Sequence, residues 1–310
     1  MIPSEKARIS LLCLATLLLG ATIAVGAGPT LESKLLPLVQ AHKGRVTLMV
    51  KNLKTGETFA IDPDLPMPTA SLIKFPVMVE AYRRAEAKTI DLQKTITLEK
   101  GDKVPGSGLL TTHFSDGVTF PLLDAIHLMI VFSDNTATNL VLDEIGLKST
   151  AETMEKMGYP NTKIHSKVYR RDTSLFPERS VEFGLGSTTA GEMIRLCEAL
   201  HKKELISTAA SEAMLKHMAA CDDVDKFPRF LPKGTKIAFK TGSVSDARTA
   251  AGIIECGSTP VALCVMTRKN EDQRFDPDNA GNRLCADIAK VVFDHYYAKP
   301  APDASQESKK

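Results

Sequence analysis

The β-forming segments of this chain fall into two groups separated by a long helical interval, and this split constrains the fold more than any other feature. "RVTLMVKN" and "ETFAI" come early, joined by "LKTG", whose glycine suits a hairpin. No further β signal appears until near residue 236, where "KIAFKTG", "TAAGIIEC" and "VALCVMTR" follow one another. Between the groups lie helical patterns: Ser71 to Ala87, "TFPLLDAIHLMIVF", "NTATNLVLDEIG", "STTAGEMIRLCEALHKK" and "STAASEAMLKHMAAC". Two more helical candidates, Leu31 to His42 and Gly281 to His295, flank the whole set. A two-stranded hairpin is marginal alone, so the two groups are expected to join in one five-stranded antiparallel sheet. The expected class is α+β, an α/β sandwich with terminal helices on the sheet. An α/β lobe spans about residues 28–68 and 232–300, and an all-helical lobe about 69–231. Ligand sites favour clefts between such lobes.

The chain ends are read separately from this domain of residues 28–300. Lys6 and Arg8 precede an apolar run from Ile9 to Ile23, and Val25-Gly26-Ala27 supplies small residues for cleavage. Residues 1–27 therefore read as a secretory signal, with an uncleaved anchor as the alternative. Leu12 before Cys13 argues against lipid attachment. No second long apolar segment follows, so no stable membrane insertion is expected after cleavage, and the location expected is periplasmic or secreted. The last residues, 301–310, read as a disordered tail. A net charge of +2 with dispersed lysines and arginines gives no nucleic-acid surface, which points to a small-molecule partner and a monomer. Five cysteines lie beyond the signal: Cys197, Cys221, Cys256, Cys264 and Cys285. Their odd number leaves at least one free thiol, and the lack of CxxC or HxH spacing gives no metal site.

Three short stretches carry chemistry. In "TASLIKFPVM", Ser71 and Lys74 stand at i and i+3, on one helix face about 5–6 Å apart. Pro76 favours a tightened first turn there. "FSDNTATNL" places Ser133, Asp134 and Asn135 between two helical runs, and "KTGS" places Lys240, Thr241, Gly242 and Ser243 at the end of an apolar strand. Ser-x-x-Lys alone is more often an ordinary helix start, and Lys-Thr-Gly alone an ordinary strand end. SxxK, SDN and KTG in this order, however, are the motif set of class A β-lactamases and penicillin-binding proteins.

The sequence resembles a class A β-lactamase over nearly all of the chain beyond the signal. The resemblance implies a serine hydrolase that needs no cofactor and takes a β-lactam or a peptidoglycan-like peptide onto Ser71 as an acyl-enzyme. Lys74 is then the adjacent base or proton relay, its ammonium form disfavoured by burial and by Lys240. Ser133 shuttles a proton to the leaving nitrogen, and Asn135 orients the substrate amide. Lys240 and Thr241 bind the substrate carboxylate, Gly242 permits close approach, and the amides of Ser71 and Ser243 form the oxyanion hole. Asp134 is expected to cap the following helix.

The chain departs from the family at the group that hydrolyses the acyl-enzyme. Aligned on Arg170 and Leu175 of "RRDTSLF", the position of the family's glutamate carries Asp172, one methylene shorter, and that of its asparagine carries Phe176. Glu178 and Glu182 lie further along the loop, and the acid that pairs with the loop arginine is replaced by glycine or serine. Slow deacylation is the expectation. A D-alanyl-D-alanine peptidase or transpeptidase, or a penicillin-binding sensor that does not turn over, are the alternatives. Arg248 is displaced from the family's arginine and is expected to be solvated, and Asp124 and His127, on one helix face, are expected to be surface or satisfied structural residues.

Overall fold

A computed structural model describes residues 29–297. The signal read over 1–27 and the tail read over 301–310 lie outside the described residues. The first elements are α1 (Leu31–Ala41), β1 (Arg45–Asn52), β2 (Thr58–Ile61), β3 (Met67–Pro68), α2 (Lys74–Glu86) and β4 (Thr95–Thr97). Next come α3 (Leu110–His113), β5 (Thr119–Pro121), α4 (Leu122–Val131), α5 (Asn135–Ile145), α6 (Leu147–Lys156), β6 (Lys163–Ile164) and α7 (Pro177–Phe183). The chain continues through β7 (Gly186–Thr188), α8 (Ala190–His201), α9 (Thr208–Ala219), β8 (Ile237–Val244), β9 (Ala247–Cys256), β10 (Thr259–Arg268) and α10 (Ala280–Tyr296).

The five long strands form one antiparallel sheet in the order β2-β1-β10-β9-β8, so the two sequence groups meet where β1 pairs with β10. Alternation sorts the side chains onto two faces. On β10, Val261, Leu263 and Val265 join α1 and α10 residues such as Leu35, Leu284 and Ile288 in one apolar cluster. Ala262, Cys264 and Met266 of the same strand face the other cluster, built from α2, α4, α5, α8 and α9. With both faces covered, the central strands read as nearly continuous apolar runs, the pattern that hid their alternation in the sequence.

Two local features position the site. Ala70–Ile73 is a 3-10 turn that runs directly into α2, the tightened entry expected from Pro76, which itself occupies the first helical turn where its missing N–H costs nothing. α5 starts at Asp134, whose carboxylate accepts from Ala137 N at 2.8 Å and also from the amides of Leu109 and Leu110 at 2.7 and 2.8 Å. The expected cap thus also ties down the 105–110 segment opposite. α6 and the short strands had no distinct signal in the sequence.

Two expectations about individual residues meet this framework. Arg248 is not solvated: it is 1% exposed, and its guanidinium donates to the carbonyls of Val244, Ala247 and Arg274 beneath the Phe275 ring. The β8–β9 turn and the 270–279 segment fold over it and supply carbonyl acceptors to both terminal nitrogens of the guanidinium. His127 lies against His217, Nδ1 to Nδ1 at 3.0 Å, while Tyr82 OH reaches the other nitrogen of His217 at 2.8 Å. The five cysteines among the described residues are all unpaired, and four of them are buried.

Candidate active site

The 3-10 turn, the α4–α5 loop and edge strand β8 converge on a cleft of about 530 Å³ lined by Ser71, Ser133, Asn135, Thr241, Gly242 and Ser243. Lys74 and Lys240 lie behind this wall, both 0% exposed. Lys74 Nζ donates to the Ser133 carbonyl at 2.6 Å, to Asn135 Oδ1 at 2.8 Å and to Ser133 Oγ at 3.3 Å. Lys240 Nζ donates to Ser133 Oγ at 3.1 Å and to the Thr241 carbonyl at 2.9 Å. One hydroxyl therefore sits between two buried amines. Among the described residues the Ser71 hydroxyl has no hydrogen bond; Lys74 reaches across to Ser133 instead.

Backbone strain creates this arrangement. Ser133 has φ +51° and Ala70, immediately before Ser71, has φ +46°. Left-handed conformations of this kind cost a non-glycine residue on the order of 1 kcal/mol or more and persist only where surrounding contacts fix them. At Ser133 those contacts are Lys74 and the Ser107 hydroxyl, both donating to its carbonyl, the latter at 2.8 Å. Gly242 is required by close approach: a Cβ there would lie 2.5 Å from the Thr69 carbonyl oxygen and 2.7 Å from the Ser71 amide nitrogen. That contact brings the edge strand against the turn carrying Ser71, so Ser71 and Ser243 line the same cleft.

Burial drives the Lys74 pKa well below its ordinary value, the charge of Lys240 adds to the effect, and Asp134 opposes it. Burial also lowers the pKa of Lys240, against the pull of Cys221 and Asp223. A buried amine whose neutral form is made accessible, in contact with the Ser133 hydroxyl at a cleft, is a competent proton acceptor.

Asp172 is not brought to this place. It does not line the cleft, its side chain is 67% exposed, and it pairs with Arg170 at 3.3 Å. The hydrogen bond from Arg170 holds its carboxyl below the ordinary carboxylate value. Glu178 and Glu182 are exposed on α7, and Glu182 pairs with Arg268. The loop wall is formed by Ser166, Lys167, Val168, Tyr169 and Arg171, with Gly184 and Leu185 at its return. Asn139 holds Val168 by accepting from its N–H at 2.8 Å and donating to its C=O at 3.0 Å. The loop closes at Ser187, which meets His165 and Arg179 at 3.1 and 2.7 Å in place of an acid–arginine pair. Asp223, Tyr169 and Phe275, which also line the cleft, had no motif to mark them.

Comparison with known proteins follows the same outline. The β-lactamase enzyme family matches residues 30–296. A β-lactamase of Streptomyces fradiae is 25% identical over 285 residues, covering 87% of each chain. The crystal structure of a β-lactamase from Sphaerobacter thermophilus aligns with a TM-score of 0.77 at 27% identity, over 87% of this chain and 99% of that one. A mutant of PBP-A, captured as an acyl-enzyme complex with penicillin G, aligns with a TM-score of 0.74 at 22% identity, over 86% of this chain and 95% of that one.

Proposed function

This chain belongs to the β-lactamase enzyme family, and on that premise we propose that it is a serine hydrolase whose Ser71 takes the acyl group of a β-lactam. The observation that carries the reading is Ser133 Oγ set between Lys74 and Lys240 at the mouth of the cleft holding Ser71. Neutral Lys74 takes the Ser71 proton as Oγ attacks the lactam carbonyl. The C–N bond breaks, the nitrogen takes the Ser133 proton, and the Lys74 ammonium restores it across the 3.3 Å contact. The amides of Ser71 and Ser243 receive the oxyanion, Asn135 receives the side-chain amide, and Thr241 and Gly242 form the far wall with Lys240 behind it.

Asp223 is the one carboxylate among the described cleft-lining residues, and Lys226 and Thr241 engage it. That feature supports slow hydrolysis of the acyl-enzyme and favours a D-alanyl-D-alanine peptidase or acyl-trapping protein as the second reading. Export to the periplasm or beyond, as a monomer, completes the proposal; no helix among the described residues is long and apolar enough to cross a membrane.

Intact-mass spectrometry after mixing with benzylpenicillin tests the reading. The expected product carries one whole penicillin per chain, lost in Ser71→Ala. An adduct that survives Ser71→Ala overturns the assignment of the nucleophile.

A further inference from the structure

In the loop wall of the cleft, Tyr169 has φ +58°, a left-handed conformation that a bulky side chain rarely adopts. It is the third residue of a turn closed by Arg170 N–H donating to the Lys167 carbonyl at 3.2 Å, a position where a positive φ favours glycine or asparagine. Contacts on both sides hold this turn. Asn139 grips Val168 from α5, and the Thr173 hydroxyl accepts from Lys167 N–H at 2.9 Å and donates to the Arg170 carbonyl at 2.6 Å. Strain of this kind persists only where surrounding contacts impose it, and it clusters at ligand sites.

Core packing does not account for the side chain held there. Tyr169 is 62% exposed, whereas Val168 beside it is buried. The ring lines the same cleft as Ser71 and Asn135. A Cβ on Gly106 would lie 3.1 Å from the Tyr169 hydroxyl, 3.3 Å from its ring carbon Cε2 and 2.6 Å from Asn135 Nδ2. The ring therefore reaches from the loop to the 105–108 segment and ends beside the Asn135 amide, in room left by the absent side chain at 106. None of the three motifs includes Tyr169.

We propose that Tyr169 is a specificity-determining residue whose ring packs against the side chain of the acyl donor, just beyond the amide received by Asn135, and so selects donors whose side chain ends in a flat aromatic group. This deepens the acyl-transfer reading above and rests on it. Two aromatic rings gain offset or edge-to-face contact beyond the apolar surface they bury. The turn fixes the Tyr169 backbone before the donor arrives, which lowers the ordering cost of binding.

The test compares second-order acylation rates of the whole chain with benzylpenicillin and with the penicillin that carries acetyl in place of phenylacetyl. The two donors share the lactam, the carboxylate and the side-chain amide, and differ only in the phenyl group. The parent is expected to favour benzylpenicillin by about tenfold. Tyr169→Gly suits the left-handed backbone and removes the ring, so this ratio should fall by about threefold or more, while Tyr169→Phe keeps the ring and should keep the parent's ratio. A displaced loop would slow both donors together, so the ratio reads the ring and not the position of the turn. A parent preference below about threefold, a smaller fall than that in Tyr169→Gly, or a Tyr169→Phe variant as unselective as Tyr169→Gly overturns the proposal. Failure of both donors to acylate the parent instead overturns the acyl-transfer reading, and this inference with it.

Discussion

Asn139 grips the backbone of Val168 with both ends of its amide, accepting from the N–H at 2.8 Å and donating to the C=O at 3.0 Å. Asn139 is buried in α5, so this pair fixes which residue of the loop faces the cleft. The residue fixed there has no carboxylate, and the loop beyond Val168 turns Asp172 out to solvent beside Arg170. A general base must come within about 2.6–3.2 Å of its proton, directly or through one water.

Fast acylation followed by slow release is therefore expected, seen as a burst of about one equivalent with a chromogenic cephalosporin. Asp172→Asn should leave both phases unchanged within about twofold, since surface substitutions away from special features have small effects. Loss of the slow phase in Asp172→Asn would place that carboxylate at the reacting water and contradict the position of the loop.

Gly242→Ala probes the approach of β8 to the Ser71 turn. Its methyl would meet the Thr69 carbonyl and the Ser71 amide, both backbone groups that cannot rotate away. Overpacking of this kind costs about 1–3 kcal/mol, and a ~1 Å displacement at a reacting centre costs on the order of 100-fold in rate. Acylation should fall by about that factor while the thermal midpoint drops by a few degrees. An alanine variant acylating at the parent rate would show that the turn and strand move independently.

The sheet and the motif triplet were legible because both rest on local patterns. β1, β8, β9 and β10 are long enough to show β-branched runs, and Ser71, Lys74, Ser133 and Lys240 sit within short spacings. What was not legible depends on contacts between distant segments. Arg248 reads as a surface cation until the 270–279 segment closes over it and supplies carbonyl acceptors. The loop from His165 to Gly186 was aligned on Arg170 and Leu175, yet its position is set by Asn139 acting from another helix. Asp223 lies in "CDDVDK", where nothing local separates the one carboxylate that meets Thr241 from its neighbours.

Acid should destabilise the fold before the carboxylates titrate. Burial lowers His165 to about 4, the Gly184 carbonyl partly opposing it and Arg179 and Lys163 adding to it. Burial lowers His217 to about 4 as well, with His127 contributing. Each folded-state value lies below the unfolded value of about 6.5, so the unfolded chain binds the extra protons and stability falls as pH falls below 6.5. The loss by pH 5 is about 2 kcal/mol for each histidine. Urea unfolding at pH 7.5 and 5 should show it, and His217→Gln should remove roughly half of the difference. A variant with the parent's full pH dependence would mean that His217 is protonated in the folded state.

Lys240→Ala addresses the coupling of the two buried amines. Burial is the larger cause of the low Lys74 pKa and Lys240 the next, so removing Lys240 leaves the desolvation and takes away the repulsion. The Lys74 pKa should then rise, and because the neutral amine is the proton acceptor, the acid limb of the acylation profile should move to higher pH. The same substitution takes one donor from Ser133 Oγ, which keeps only the 3.3 Å contact with Lys74, so the plateau rate should also fall, on the order of 10–100-fold. Acylation rates with benzylpenicillin from pH 5 to 9 separate the two effects: the limb reports the charge, the plateau the lost donor. A lower plateau with an unmoved limb would mean that Lys240 acts through Ser133 alone, and that burial by itself sets the state of Lys74.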